Sequence, residues 1–501
     1  MPRRGAAAEL MLPPRDPGVP AYRWLYAALR GEILAGRLRP GTRLPATRDL
    51  ARQYATSRGT IVNAFDQLES EGYIDAAMGS GTSVSKTLPD ELLQVRGEAC
   101  PSPPMLRRAR RRVSDYGRRV TLFSGLEIRP PRAFRTNLPA LDAFPTAAWA
   151  RIMARRSRHS PSSLLMGCEP IGYAPLRAAV AHYLGMSRGV QCTPDQIVIV
   201  SGVQEALDLV ARLFLNPGER VCLENPGYPG AAIAFESVGA RLSFAPLDNQ
   251  GMLVRGRSLR QARLVYVTPG HQFPLGMTMS LPRRLQLLEW AERSGALIFE
   301  DDYDSEYRYS GRPVPALCGL DRAGQVFFAG SFSKVLFPSL RLGYLVVPSD
   351  VVDRFAAAKS ATSRHAPLLE QAVLHEFIAE GHFGRHLRRM RELYAERLAV
   401  LLASGRQYLA GLLEISPIEA GLQTVGWLSE GIDGETAAAA AAARDVDVTP
   451  LSRYHRGPVE REGLQLGFAA VNTHEIRRGV RDLATALKTT CDASRRQAHG
   501  E

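Results

Sequence analysis

Lysine is nearly absent from this chain. Among 63 basic residues in 501, only Lys86, Lys334, Lys359 and Lys488 carry an amine side chain. Chemistry that needs a lysine amine therefore has four candidates. The six cysteines (Cys100, Cys168, Cys192, Cys222, Cys318 and Cys491) show no C-x-x-C spacing. That pattern speaks against a zinc site or a disulfide framework and reads as reduced, cytoplasmic thiols, with no metal expected. No apolar run reaches the roughly eighteen residues of a membrane span, and the opening MPRRGAAAELMLPPRDPGVP has no apolar core of signal-peptide length. The alanine run 437–443 reads as helix, not span.

With 45% hydrophobic and 23% charged residues, the composition supports a large core, and the length predicts two or more domains. The net charge of +13 is unevenly spread. Residues 1–19 contribute +1, residues 20–86 carry nine basic and six acidic groups, and residues 87–135 carry eleven and five. A basic first quarter on a near-neutral body points to a polyanionic partner at the N-terminal end.

Within 20–86, Leu25, Leu29 and Ile33 recur at helical spacing over 21–35 and Gly36 ends the run. A short helix is expected over 46–54. After a break at Ala55-Thr56-Ser57, another runs over 58–71, with Ile61, Phe65 and Leu68 facing inward. Tyr73-Ile74, the turn Gly79-Ser80-Gly81 and Ser83-Val84 read as a hairpin. Helix, helix, turn, helix, hairpin is the outline of a winged helix-turn-helix, whose third helix enters the major groove of double-stranded DNA. Arg58, Thr60 and Asn63 lie off its apolar face, Arg48 precedes it, and Gly81 sits on the wing. These five are the candidate DNA contacts. The stretch GEILAGRLRPGTRLPATRDLARQYATSRGTIVNAFDQLESEGYI resembles the DNA-binding domain of GntR-family regulators.

Residues 87–135 hold Pro101, Pro103 and Pro104 and the basic run Arg107-Arg108-Ala-Arg110-Arg111-Arg112. They read as a basic interdomain linker, partly helical near 104–112, with salt-sensitive DNA affinity as one reading of the arginines and a solvated spacer as the other.

From 136 to 490, short β-branched runs at 196–200, 220–223, 264–267, 296–299, 326–328 and 342–347 alternate with helical stretches, predicting an α/β domain with a mostly parallel sheet. Ligands in such sheets sit past the C-terminal ends of the strands. There the sequence places Ser201-Gly202-Val203 before a helix, then Tyr228, His271-Gln272, Asp301 with Tyr303, and Ser331-Phe332-Ser333-Lys334 followed by Arg341. A lysine amine for a Schiff base, a carboxylate for a ring nitrogen, an aromatic face and a phosphate cup are together what pyridoxal phosphate requires. Lys86 lies at the wing's edge, Lys359 follows an alanine run and Lys488 is near the C-terminus, which leaves Lys334.

This constellation resembles the fold-type I, aspartate aminotransferase-like transferases that use pyridoxal phosphate. The resemblance implies that Lys334 forms the Schiff base and Asp301 pairs with the pyridinium nitrogen. It implies that Tyr303 bonds the phenolic oxygen and Tyr228 stacks on the ring. Gly202, Val203, Ser331, Ser333 and Arg341 would hold the phosphate. A GntR-type head on such a body, with EDDYDSEYRYSGRP and TPGHQFPLG, is similar to the MocR-type regulators. That likeness implies a cytoplasmic homodimer in which each head rests on the partner's body.

One departure bears on function. Aminotransferases grip the substrate carboxylate with an arginine in a segment resembling R-L-x-F. Here Leu464-Gln465-Leu466-Gly467-Phe468 puts glutamine there, which cannot form a bidentate ion pair, unless Arg453 or Arg456 takes that role. The expected function is a transcription regulator that senses pyridoxal phosphate or a small amine or amino-acid effector, with sensing favoured over catalysis. The alternative is an active aminotransferase with an appended DNA-binding domain.

Overall fold

The computed structural model describes residues 10–77, 81–88, 111–122, 130–159, 161–311 and 314–498. The chain divides into two compact units, Met1–Arg111 and Arg112–Glu501.

In the first unit, α1 (Ala21–Leu34), α2 (Thr47–Gln53) and α3 (Arg58–Ser70) are followed by β1 (Ile74–Ala77) and β2 (Gly81–Val84), which pair antiparallel. Leu25, Leu29, Ile33, Leu50, Ile61, Phe65 and Leu68 form its core, as the periodicity predicts. Ser57 caps α3: its side chain accepts from the Thr60 amide at 3.1 Å, satisfying one of the donors that a helix start leaves open. The turn residues Gly79 and Ser80 lie outside the described residues, as does most of the basic run.

The part of 87–135 that is described includes a short helix, Asp115–Arg119, capped by Ser114. It lies against the large unit: Arg119 donates to the Ser237 carbonyl at 3.1 Å, and Arg212 meets both the hydroxyl and the ring of Tyr116. Ala133 and Phe134 are fully buried in the large unit's core.

The large unit is built on an eight-stranded sheet. Its members in chain order are β3 (Ile197–Val200), β4 (Arg220–Asn225), β5 (Arg241–Asp248), β6 (Gly251–Met252), β7 (Ala262–Val267), β8 (Leu297–Asp302), β9 (Val326–Ser331) and β10 (Gly343–Val346). Their spatial order is β3-β10-β9-β8-β7-β4-β5-β6. The strands from β9 through β4 to β5 are parallel, and β10 is antiparallel to both β9 and β3. The expected mostly parallel sheet is therefore present with two reversed strands, β10 inside it and the two-residue β6 at its edge, antiparallel to β5. Direction is not encoded in an apolar run such as Leu342–Val347, so nothing in those residues signals the reversal. Because β3 and β9 run the same way, the C-terminal ends of β3, β4, β7, β8 and β9 share one edge, and β10 begins there. β3 is buried along its whole length, as expected of a strand covered on both faces.

A second sheet, not foreseen, is antiparallel: β11 (Leu413–Ile415), β12 (Gln423–Leu428), β13 (Thr449–Pro450) and β14 (Gly463–Gly467), in the order β11-β12-β14-β13. It packs with helices His382–Tyr408 and Thr473–Ala498 around Tyr394, Leu466, Phe468 and Leu483. Among the described residues no helix is long and apolar enough to cross a membrane.

Candidate functional site

The first unit presents one face of α3, led by Arg58, to solvent. Arg48, Arg58 and Asn63 are exposed and Thr60 is half-buried, its hydroxyl 2.8 Å from that of Ser57. Thr60 thus serves the cap as well as the outer surface. Gly81 has φ +85°, and a side chain there would meet the Arg43 guanidinium at 2.9 Å. The glycine leaves room for Arg43 to lie along the wing. Arg43, exposed and bridged to Ser83, is a further candidate phosphate contact that periodicity could not reveal, because it sits in an isolated bridge outside any periodic run.

In the large unit, the predicted residues meet at the edge where the parallel strands end. β8 finishes with three consecutive acids, and the alternation of a strand separates them. Glu300 accepts from the Leu317 and Cys318 amides, and Asp302 accepts from Arg188. Asp301 points to the other face, where its Oδ2 accepts from the Tyr266 hydroxyl at 2.7 Å. Burial pushes the Asp301 carboxyl up to about 7, aided by Asp302 and Asp304, while Tyr266 and Lys334 pull it down.

Lys334 follows β9 in the loop to β10. It is half-buried, and its Nζ donates to the Asn137 carbonyl at 2.9 Å. Burial lowers the amine to about 8 against the pull of Asp304 and Asp301, with Arg341 adding to the lowering. Tyr228 follows β4 and stacks with Tyr266 at 6.4 Å between centroids, with Phe273 edge-on at 5.6 Å. Tyr303 donates to, or accepts from, His271 Nδ1 at 3.0 Å, and the same nitrogen lies 2.8 Å from Asp304 Oδ1. His271 and Asp304 are buried, so His271 positions Tyr303 from behind.

The candidate phosphate cup lies at the same edge. Gly202 caps the Val203–Phe214 helix at φ +113°, and its added Cβ would stand 3.5 Å from the Arg341 guanidinium. The first amides of a helix have no partner within it and favour an anion. Ser331 Oγ accepts from the Ser333 amide at 3.2 Å, while the buried Ser333 Oγ has no hydrogen-bond partner. The donor set and this orphaned hydroxyl fit a phosphorylated pyridine aldehyde: an amine of lowered basicity, a buried carboxyl, an aromatic wall and a helix start with an arginine beside it.

Behind the cup, Lys359 is fully buried and its Nζ meets Glu205 Oε1 at 2.6 Å. The other carboxylate oxygen of Glu205 accepts from the Ser201 amide. A lysine in this ion pair is a structural cation.

Tyr266, Asn137, Gln423 and Tyr454 escaped the sequence reading. Gln423 Oε1 accepts from the Asn137 amide at 3.1 Å, and Tyr454 donates to Gln465 Oε1 at 2.9 Å. Gln465 is fully buried in the middle of β14. Neither substitute arginine replaces it. Arg453 forms a bidentate pair with Glu435, and Arg456 lies over the Phe244 ring.

The family model of aminotransferase class I and II matches residues 136–483, and that of bacterial regulatory proteins of the gntR family matches 21–84. The chain is 41% identical to the probable rhizopine catabolism regulatory protein MocR of Rhizobium meliloti, covering 94% of this chain and 95% of that one. It is 30% identical to the pyridoxine biosynthesis transcriptional regulator PdxR of Corynebacterium glutamicum, over 96% and 99% of the two chains. Among solved structures, the α-aminoadipate aminotransferase LysN of Thermus thermophilus, complexed with a phosphopyridoxyl-leucine, superposes with a TM-score of 0.66 at 31% identity. That match covers 72% of this chain and 93% of the other.

Proposed function

The chain belongs to the MocR-type transcriptional regulators of the GntR family, which join a DNA-binding head to an aminotransferase-like body, and from that premise we propose that it reads operator DNA with α3 and the wing and senses a small molecule through pyridoxal phosphate held on Lys334. In this reading it works in the cytoplasm as a homodimer, each head resting on the partner's body. The observation that carries the proposal is the convergence of Lys334, Asp301 and the start of the Val203–Phe214 helix at one sheet edge, in a chain with three other lysines.

Lys334 would hold the cofactor covalently and Asp301 its ring nitrogen. Tyr228 would cover the ring, Tyr303 would face its phenolic oxygen, and Gly202, Val203, Ser331, Ser333 and Arg341 would hold its phosphate. When bound, the cofactor supplies an electrophilic carbon that recognises amines. Asp301 holds a proton position beside the ring, and Tyr266 orients that carboxyl. The aromatic wall of Tyr228, Phe273 and Tyr303 excludes water. Sensing is favoured over turnover because Gln465 carries no charge and both Arg453 and Arg456 are engaged elsewhere, so none of the three offers a guanidinium to an α-carboxylate.

Two measurements test this reading. Uptake of pyridoxal phosphate by the apoprotein requires a neutral Lys334 amine, so its rate should rise with pH and level off above about 8. A free lysine would level off near about 10.4. Stopped-flow absorbance reads this directly, and a plateau near the free-lysine value would remove Lys334 as the acceptor. For the head, Arg58→Ala should weaken operator binding by about 1–3 kcal/mol and relax sequence preference. Fluorescence anisotropy on operator and random duplexes separates the cases: equal losses on both would make Arg58 a phosphate contact only.

A further inference from the structure

Two buried glutamines lie on the second sheet, and one of them, Gln465, stands where the resemblance expects an aminotransferase's carboxylate-binding arginine. Gln423 pairs with Gly467 and Val425 pairs with Gln465. The two glutamines are therefore diagonal neighbours on one face of the β12–β14 ladder, about 7–8 Å apart. Each is fully buried, and each has its carbonyl oxygen taken by an internal donor, the Asn137 amide or the Tyr454 hydroxyl. Those donors fix both amides with their NH2 groups outward, and both Nε2 atoms are buried without a hydrogen-bond partner. Unmade buried hydrogen bonds are expensive, and a fixed pair on one face calls for an acceptor supplied from outside.

Gln423 reaches the lysine through one residue. Asn137, which donates to Gln423, accepts from Lys334. Burial, with Asp304 and Asp301, holds the Tyr303 hydroxyl well above its ordinary pKa, and the neighbouring Gln423 side chain pulls the other way. Tyr454, which donates to Gln465, packs edge-on to Phe273, the ring that also meets Tyr228 and Tyr303.

Charge decides what the acceptor is. An amide donor carries no formal charge, Arg453 is held by Glu435 and Arg456 lies on Phe244. Asp301, Asp304 and Glu224 are buried around the same centre. A carboxylate brought here would be desolvated beside other carboxyls, with neither of those arginines to meet it. A hydroxyl or carbonyl oxygen needs only the two donors.

Resting on the cofactor reading above, we propose that the effector is a primary amine whose second polar group is neutral, a hydroxyl or carbonyl held by Gln423 and Gln465, rather than an α-amino acid.

The test uses the full-length protein loaded with pyridoxal phosphate, its absorbance band verified before each titration. Calorimetry compares 2-amino-1,3-propanediol with L-serine, which differ by a hydroxymethyl in place of the carboxylate. The diol should bind at least roughly ten-fold more tightly to the wild type. Gln465→Arg should reverse that order, and Gln465→Leu and Gln423→Leu should each weaken the diol roughly ten-fold while keeping the band. Serine binding as tightly as the diol, an unchanged order in Gln465→Arg that still carries the band, or binding of neither amine by banded protein overturns the inference and leaves the cofactor reading intact. If Gln465→Arg does not fold, the two leucine variants decide: undiminished diol binding in both overturns it. Absence of the band from wild-type protein overturns the cofactor reading, and this inference with it.

Discussion

Purified Lys334→Ala protein stays colourless after incubation with pyridoxal phosphate and gel filtration, whereas the wild type carries a visible or near-ultraviolet band. The loss is expected to be complete because no other lysine can take over. Lys86 and Lys488 are exposed, the first in the head and the second on the Thr473–Ala498 helix. Lys359 is fully buried and paired with Glu205. Affinity for operator DNA without effector should be retained, since the head is a compact unit with its own core. What disappears is the change in DNA binding on adding cofactor or effector. A band of undiminished strength in the variant would mean that another amine holds the cofactor.

Lys359→Met should destabilise the large unit by about 3–5 kcal/mol, the usual consequence of removing one partner from a buried ion pair. Methionine fills much of the lysine stem's volume, so the loss reports the charge. Glu205 would remain with the Ser201 amide and the Ser363 hydroxyl as donors but without the lysine cation. Its charge would then stand at the start of the helix proposed to hold the phosphate, and cofactor retention should fall as well. Urea unfolding and dialysis of the loaded protein measure the two effects. Glu205→Gln combined with Lys359→Met should recover a large part of both, and a double variant as unstable as the single one would show that packing dominates.

The pair also has a pH signature. Burial raises the Glu205 carboxyl, but Lys359 and the hydrogen bonds outweigh it and hold the group below its ordinary value. A depressed folded value contributes stability above the unfolded pKa, about 4.3, and that contribution is lost as pH falls through the folded value. Lys359→Met should therefore flatten this part of the acid limb of the stability profile.

What the sequence revealed depended on how local the signal was. The head's helices follow from a short period and from turn and cap residues such as Gly36 and Ser57, whose partners lie within a few positions. Lys334 stood out because the chain has so few lysines, and Asp301 because it ends an apolar strand. Asn137, Gln423 and Tyr454 carry no such signal. They reach the centre through the second sheet and the strand-free segment before the first, so their relevance exists only in three dimensions. Tyr266, inside an apolar run, reads as packing until its hydroxyl is seen on Asp301. Lys359 likewise carries no local signal, since an alanine-rich helix gives no warning that a half-buried carboxylate waits on another helix.

The reversed strand β10 has a consequence for how the protein is made. It lies between β3 and β9, so the Gly202 turn and the Lys334 loop are joined through a strand synthesised after both. Such non-local pairing forms late and slowly. A nascent chain released only as far as Leu340 holds every residue of the head but has no β10 to close the sheet. Truncated or incompletely folded chains would thus keep the reader without the sensor and compete with intact regulator for the same operators. Translational completeness, as much as effector concentration, would then set how faithfully the promoter responds.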